Sequence, residues 1–159
     1  MIKNFTKILI ISQLIISCGF TPTLKNLNNQ DNSLVYYEID PTSSYTARKM
    51  LNATLQSVDK DKAKFLTKIT VKEQESAVNI ESSGSVNEYK IEVLINFEIF
   101  DMLNNDMLLA SQSRGFENYD VSSSEYTNSL IQKEALERAL IEGIQLMNII
   151  MQSKITEQL

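Results

Sequence analysis

Histidine and tryptophan are absent from this 159-residue chain, cysteine occurs once, proline twice and glycine four times. Each absence removes a class of chemistry. Without His there is no Ser-His-Asp or Cys-His catalytic pair, and with Cys18 alone there is neither an internal disulfide nor a His or multi-Cys metal site. Gly19, Gly84, Gly115 and Gly143 stand too far apart to build a phosphate-cradling loop or a dinucleotide fingerprint, so nucleotide chemistry is not expected. No metal and no diffusible cofactor are expected. What is present is 43% apolar and 22% charged residues, the composition of a packed domain rather than a disordered or collagenous chain, at a length that fits one domain.

The N-terminus reads as a targeting segment, residues 1–17. Lys3 and Lys7 precede an apolar run, Ile8 to Ile16, which Ser12 and Gln13 interrupt. That run is much shorter than the ~20 residues a helix needs to cross hydrocarbon, and a positive start followed by a short apolar stretch is the pattern of an export signal. Ile15-Ile16-Ser17-Cys18 looks like a bacterial lipobox, in which Ser17 is the small residue before the cut and Cys18 becomes the lipid-bearing first residue. The expected modification is diacylglycerol on the sulfur and a fatty acyl chain, such as palmitate, on the freed amine. Several chains hold firmly where one would bind reversibly. The alternative for Cys18 is an incidental thiol in a signal or anchor helix. Gly19, where Asp would be the usual retention signal, resembles the pattern of lipoproteins sent to the outer membrane, so a periplasm-facing outer-membrane anchor is expected. Removal of residues 1–17 takes away Lys3 and Lys7 and no acid, leaving 13 basic and 20 acidic residues and a net charge of −7. Such a surface does not neutralise phosphates along a nucleic acid, and none is expected as a partner.

Residues 18–33 read as a lipidated tether, rich in Asn and stiffened at its start by Pro22. Residues 34–159 read as one domain. Leu34-Val35-Tyr36-Tyr37 is a short strand, and Asp40-Pro41 has the look of a helix start, with Asp40 as the cap. Ala47, Met50, Leu51, Thr54, Leu55 and Val58 recur at helical spacing. Phe65 to Lys72 alternates, and Ser76 to Ile80 is a second short alternating piece leading to Ser82-Ser83-Gly84. The clearest strand puts Asn87, Tyr89, Ile91, Val93, Ile95, Phe97 and Ile99 on one face and Glu88, Lys90, Glu92, Leu94, Asn96 and Glu98 on the other. Leu103-Asn104-Asn105-Asp106 is a turn, and Met107 to Tyr119 returns as a strand. Ser122 with Glu125 has capping-box spacing before a long helix whose apolar face runs from Ile131 to Met151. The predicted fold class is α+β: a two-layer sandwich with two helices packed on one face of a four-stranded, mainly antiparallel sheet, in the order strand, helix, three strands, helix.

These pieces together resemble a known family, the lipopolysaccharide-assembly lipoprotein LptE. The resemblance lies in the mature start Cys18-Gly19-Phe20-Thr21-Pro22, the element order, the long strand Tyr89 to Phe100 with its Asn104-Asn105 turn and return strand Ser111 to Phe116, and the polar connection through Tyr119 and Tyr126 into an Ala- and Ile-rich helix. It implies a non-enzymatic subunit: an outer-membrane lipoprotein that plugs and scaffolds an LptD-type β-barrel and contacts lipopolysaccharide bound for the cell surface. Arg114 is the position that best matches the family's basic contact residues, and a surface arginine is its plain alternative. From the residues alone, Lys64, Lys68 and Lys72 share strand parity and could meet phosphates through charge-assisted hydrogen bonds. The plain reading of that strip is a solvated face that discourages edge pairing. Two other function classes stay open: a generic envelope lipoprotein that scaffolds another barrel or binds lipid, and a glycan-acting enzyme using a pair among Glu88, Glu92 and Glu98.

Overall fold

A computed structural model describes residues 34–158; the targeting segment, Cys18 and the tether lie outside the described residues. Strand β1 (Val35–Ile39) is followed by helix α1 (Tyr45–Thr54), a 3-10 turn (Lys60–Lys62), strands β2 (Phe65–Ile80), β3 (Val86–Asp101) and β4 (Asp106–Asp120), and helix α2 (Glu125–Thr156). The sheet order is β1-β2-β3-β4, with β1 parallel to β2 and the other two pairs antiparallel. This is the expected α+β architecture. Both helices cover the face to which the odd-numbered residues of β2 and β3 point, because those positions carry the apolar half of the alternation. Phe65, Ile69, Val71, Ile91, Val93, Ile95, Phe97 and Ile99 are buried there with Ala47 and Leu51 of α1 and Ala139, Leu140, Ile144, Met147 and Met151 of α2.

Three local readings are corrected. Asp40 does not cap α1: its carboxylate accepts from the backbone N–H and the hydroxyl of Thr42 at 2.8 and 2.6 Å, while Ser44 caps the helix by accepting from Ala47 N at 3.1 Å. The Pro-containing turn uses up Asp40 before the helix begins. The Thr42 hydroxyl, followed by its N–H, holds the Asp40 carboxyl below the usual carboxylate range. Ser122 likewise gives way to Ser124, whose hydroxyl accepts from Thr127 N, and Asn128 instead clamps Ser122 by bonding both its N–H and its carbonyl. The two alternating pieces of residues 65–80 are one strand, continuous through a bulge between Ala77 and Asn79, because β3 pairs along its whole length.

Helix α2 runs hard against β4. Ser113 donates to Gly143 O at 2.8 Å, and Gly115 sits so close that a Cβ there would fall 1.9 Å from Ala139 O. At the far side of the core Tyr37 is buried, and among the described residues its hydroxyl has no hydrogen-bond partner. Burial pushes this phenol up to about 12. The folded state therefore holds the proton more tightly than the unfolded chain, in which a tyrosine titrates near ~10. That contribution is complete below pH ~10 and is lost as pH rises toward the folded value. The urea midpoint is expected to fall steeply between pH 10 and 12, and Tyr37→Phe should flatten that fall while raising stability at pH 7 by ~1 kcal/mol, since no buried hydroxyl is then left unbonded.

Candidate functional site

The even-numbered residues of the three long strands, with Met107 at the start of β4 where an irregularity shifts the register, form the uncovered face of the sheet, and the strand register sorts them into rows. Nearest the end where the chain enters, Tyr36, Leu66, Phe100 and Met107 stand side by side. The next row is Glu38, Lys68, Glu98 and Ala110, then Thr70, Asn96 and Gln112, then Lys72, Leu94 and Arg114, then Gln74, Glu92 and Phe116. Lys90 and Asn118 follow with Ser76. A two-sided sheet with one face helix-covered leaves the other to be wet, which the polar majority of these positions fits.

The four sequence-predicted cations fall into different settings. Lys68 lies between Glu38 and Glu98 in its row, with its ammonium over the Phe100 ring at 5.1 Å, in a shallow cavity of about 290 Å³ shared with Asp40 and Asn96. Both neighbours in the row are carboxylates, and among the described residues neither forms an ion pair with Lys68. Lys64 precedes β2 at the end where the chain enters: its backbone bonds Leu34 and Met102, and it lines a separate cavity with Lys60, Asp61 and Leu103. It is thus apart from the others. Lys72 and Arg114 are brought together, flanking Leu94 in one row across three strands. Adjacent strands are ~4.8 Å apart, so the two backbones stand ~10 Å apart with an apolar side chain between them. Among the described residues Lys72 makes no ion pair, while Arg114 reaches Gln112 Oε1 at 3.3 Å and Glu92 at 3.6 Å.

Two rows on, a cation that strand parity alone did not single out joins them. Lys90 lies over the Phe116 ring at 5.0 Å and 3.6 Å from Glu92, and Phe116 is 56% exposed, a large apolar group left in water. Lys72, Arg114 and Lys90 stand around Leu94 and Phe116 with Glu92 among them, 3.6 Å from both Arg114 and Lys90, so the patch carries a net positive charge over an apolar floor, suited to an amphiphile with anionic groups. Parity places Lys90 and Leu94 on this face, but only the β3–β4 register sets Phe116 beside them.

On the helix-covered side at the other end of the sheet, Tyr119 stacks on Tyr89 at 5.7 Å and donates to Glu75, which also accepts from Gln132 at 2.9 Å. Burial first, then the Glu75 carboxylate, pushes the Tyr119 phenol upward. The three glutamates weighed for glycoside cleavage are spread along β3: Glu88 and Glu92 are four residues apart and Glu92 and Glu98 six, or ~13 and ~20 Å at strand rise. A glycosidase pair needs ~5 to ~9.5 Å, so no two of them form one. Among the described residues no cluster of three metal-binding side chains occurs, and no helix is long and apolar enough to cross a membrane.

The class this architecture defines is a helix-backed, one-face-open α+β domain, and solved structures share it. A lipoprotein from Caulobacter crescentus superposes with a TM-score of 0.62 at 16% identity, covering 80% of this chain and 94% of that one. The rare lipoprotein B of Shewanella oneidensis gives 0.58 at 9% identity, over 79% and 99% of the two chains. A minor lipoprotein from Acinetobacter baumannii gives 0.59 at 11% identity, over 75% and 90%. At such identities the likeness is one of fold. No protein-family model and no curated protein sequence matches the chain.

Proposed function

We propose that this chain is an outer-membrane lipoprotein, held by acyl chains on Cys18 and facing the periplasm, that plugs and scaffolds an LptD-type β-barrel in the transport of lipopolysaccharide to the cell surface. The observation that carries the reading is the conjunction of a lipobox-like Ile15-Ile16-Ser17-Cys18 with a downstream domain whose fold is that of several named lipoproteins, rare lipoprotein B among them. The sheet supports it: a polar open face lets a domain sit against a wet barrel wall, whereas an apolar one would demand a dry interface. The patch of Lys72, Arg114 and Lys90 around Leu94 and Phe116 is the place for lipopolysaccharide, whose phosphates would meet the cations and whose acyl chains the apolar floor. The role is one of binding and assembly, not catalysis, and the wide spacing of the β3 carboxylates supports that.

Depletion in the native host tests the reading. Loss of the chain should abolish surface lipopolysaccharide and leave the barrel immature, and the tagged chain should co-purify with that barrel at fixed ratio. If surface display and barrel maturation both persist, the transport role is wrong, and the protein is a generic envelope lipoprotein.

A further inference from the structure

Sheet edges expose unpaired N–H and C=O groups, and proteins ordinarily cover them. The β1 edge is covered here, and the β4 edge at one point. Along β1, Ser57 accepts from Tyr37 N at 3.1 Å and Val58 N donates to Val35 O at 3.0 Å. Just past β1, Asp40 N donates to Ile69 O at 2.8 Å and Ser43 accepts from Val71 N at 3.0 Å. Along β4, Glu142 reaches from α2 to accept from Phe116 N at 2.9 Å. On β2 the outer side lies open from the Val71 carbonyl onward. Strand β1 pairs with Phe65 to Ile69 only, while β2 runs on to Ile80 with every residue from Lys72 exposed. Because Ile69 and Val71 turn their backbone groups away from β3, alternation turns those of Glu73, Glu75 and Ala77 the same way, and among the described residues they have no backbone partner on that side.

We infer that Glu73 to Ala77 of β2 receives an added strand from a different polypeptide, one that carries Lys or Arg where it passes Glu73 and Glu75. The two carboxylates decide the occupant. They lie on the helix-covered side, walling a groove of about 410 Å³ against Gln132 and Lys133 of α2, and the single lysine leaves negative charge in excess. A second copy of this chain pairing antiparallel through the same edge would set these glutamates against their own counterparts, and like charges facing each other across strands are destabilising. A strand with cations at alternate positions turns the same contacts into opposite-charge pairs, while the backbone ladder supplies register. Beyond the groove, Val78 and Ile80, 49% and 60% exposed, give the incoming strand apolar area to cover. This proposal stands apart from lipopolysaccharide binding, which uses the other face of the sheet.

Photo-crosslinking of the full-length chain in its native envelope tests it, with benzoylphenylalanine placed at Gln74 or at Ser76. Both positions should capture the same polypeptide, within a few residues of each other, in a segment that contains Lys or Arg. Ala77→Pro removes one outward N–H, at an edge where proline is tolerated, and should lower the yield at least ~5-fold with the circular dichroism unchanged. Glu73→Gln combined with Glu75→Gln should lower it as well with the circular dichroism unchanged, because the amide oxygen of Gln still accepts, at position 73 from the Ser44 hydroxyl and at position 75 from Tyr119 and Gln132. Absence of an adduct, an adduct with a second copy of the chain, or a yield indifferent to Ala77→Pro would overturn the inference.

Discussion

Gly115→Ala should destabilise the domain by ~3 kcal/mol or more, above the ordinary 1 to 3 for overpacking, and lower its Tm by roughly 10 °C or more. The added Cβ would meet Ala139 O at 1.9 Å, Gly143 N at 2.7 Å and Ala139 C at 2.9 Å. All three are backbone atoms of one helix turn, so no rotamer change relieves the clash and α2 must lift from β4 as a body. Lifting it would also pull Gly143 O from the Ser113 hydroxyl and Glu142 from Phe116 N, exposing the strand edge. Gly143→Ala is the internal comparison. Its Cβ meets first the Ile95 Cδ1 atom at 3.0 Å, the far end of a flexible side chain, and alanine returns about 1 kcal/mol of helix propensity. Its stability is expected within ~1 kcal/mol of the parent chain. Thermal and urea melts of the two variants check both claims, and equal losses would mean that the helix does not cross the strand at Gly115.

How much of this could be read from the residues follows from the range of the interactions. Strand β3 was legible because Ile91 to Ile99 alternates without a break, and the long helix because Ala135 to Met151 repeats at helical spacing. Both patterns are local consequences of a one-sided core. The caps are not legible in the residues because Asp40, Ser44, Ser122 and Ser124 are all competent acceptors, and the choice between them rests on where the chain turns, which the Thr42 and Asn128 hydrogen bonds decide. Gly115 gives no sequence signal of its contact, since the helix turn it touches lies more than twenty residues on. The binding patch was half legible. Strand parity placed Lys68, Lys72 and the β3 glutamates on one face, but register alone tells that Lys68 is hemmed by Glu38 and Glu98 while Lys72 and Arg114 share a row. Register is a long-range property, set by turns and core packing together.

That difference in setting yields the second large effect. Lys72→Glu with Arg114→Glu should weaken binding of purified lipopolysaccharide to the full-length lipidated chain by about 100-fold. Each charge-assisted hydrogen bond to phosphate contributes ~1.5 to ~3 kcal/mol, and every ~1.4 kcal/mol is tenfold in affinity. Both side chains are exposed on the open face, so the double variant should unfold within ~1 kcal/mol of the parent, which separates lost binding from lost fold. The remaining cations supply the controls. Lys64→Glu, at the end where the chain enters, should leave affinity unchanged, and Lys68→Glu should change it only a few-fold, because Lys68 stands two rows from Leu94, between Glu38 and Glu98. Affinity of the parent chain should also fall as salt is raised toward ~1 M, where the Debye length shrinks to ~3 Å, while the double variant, which has lost two of the patch's three cations, should not show that fall. A double variant that binds as tightly as the parent, or a Lys64→Glu chain that loses as much, would mean that the row through Leu94 is an ordinary solvated surface and that any lipopolysaccharide contact lies elsewhere on the domain.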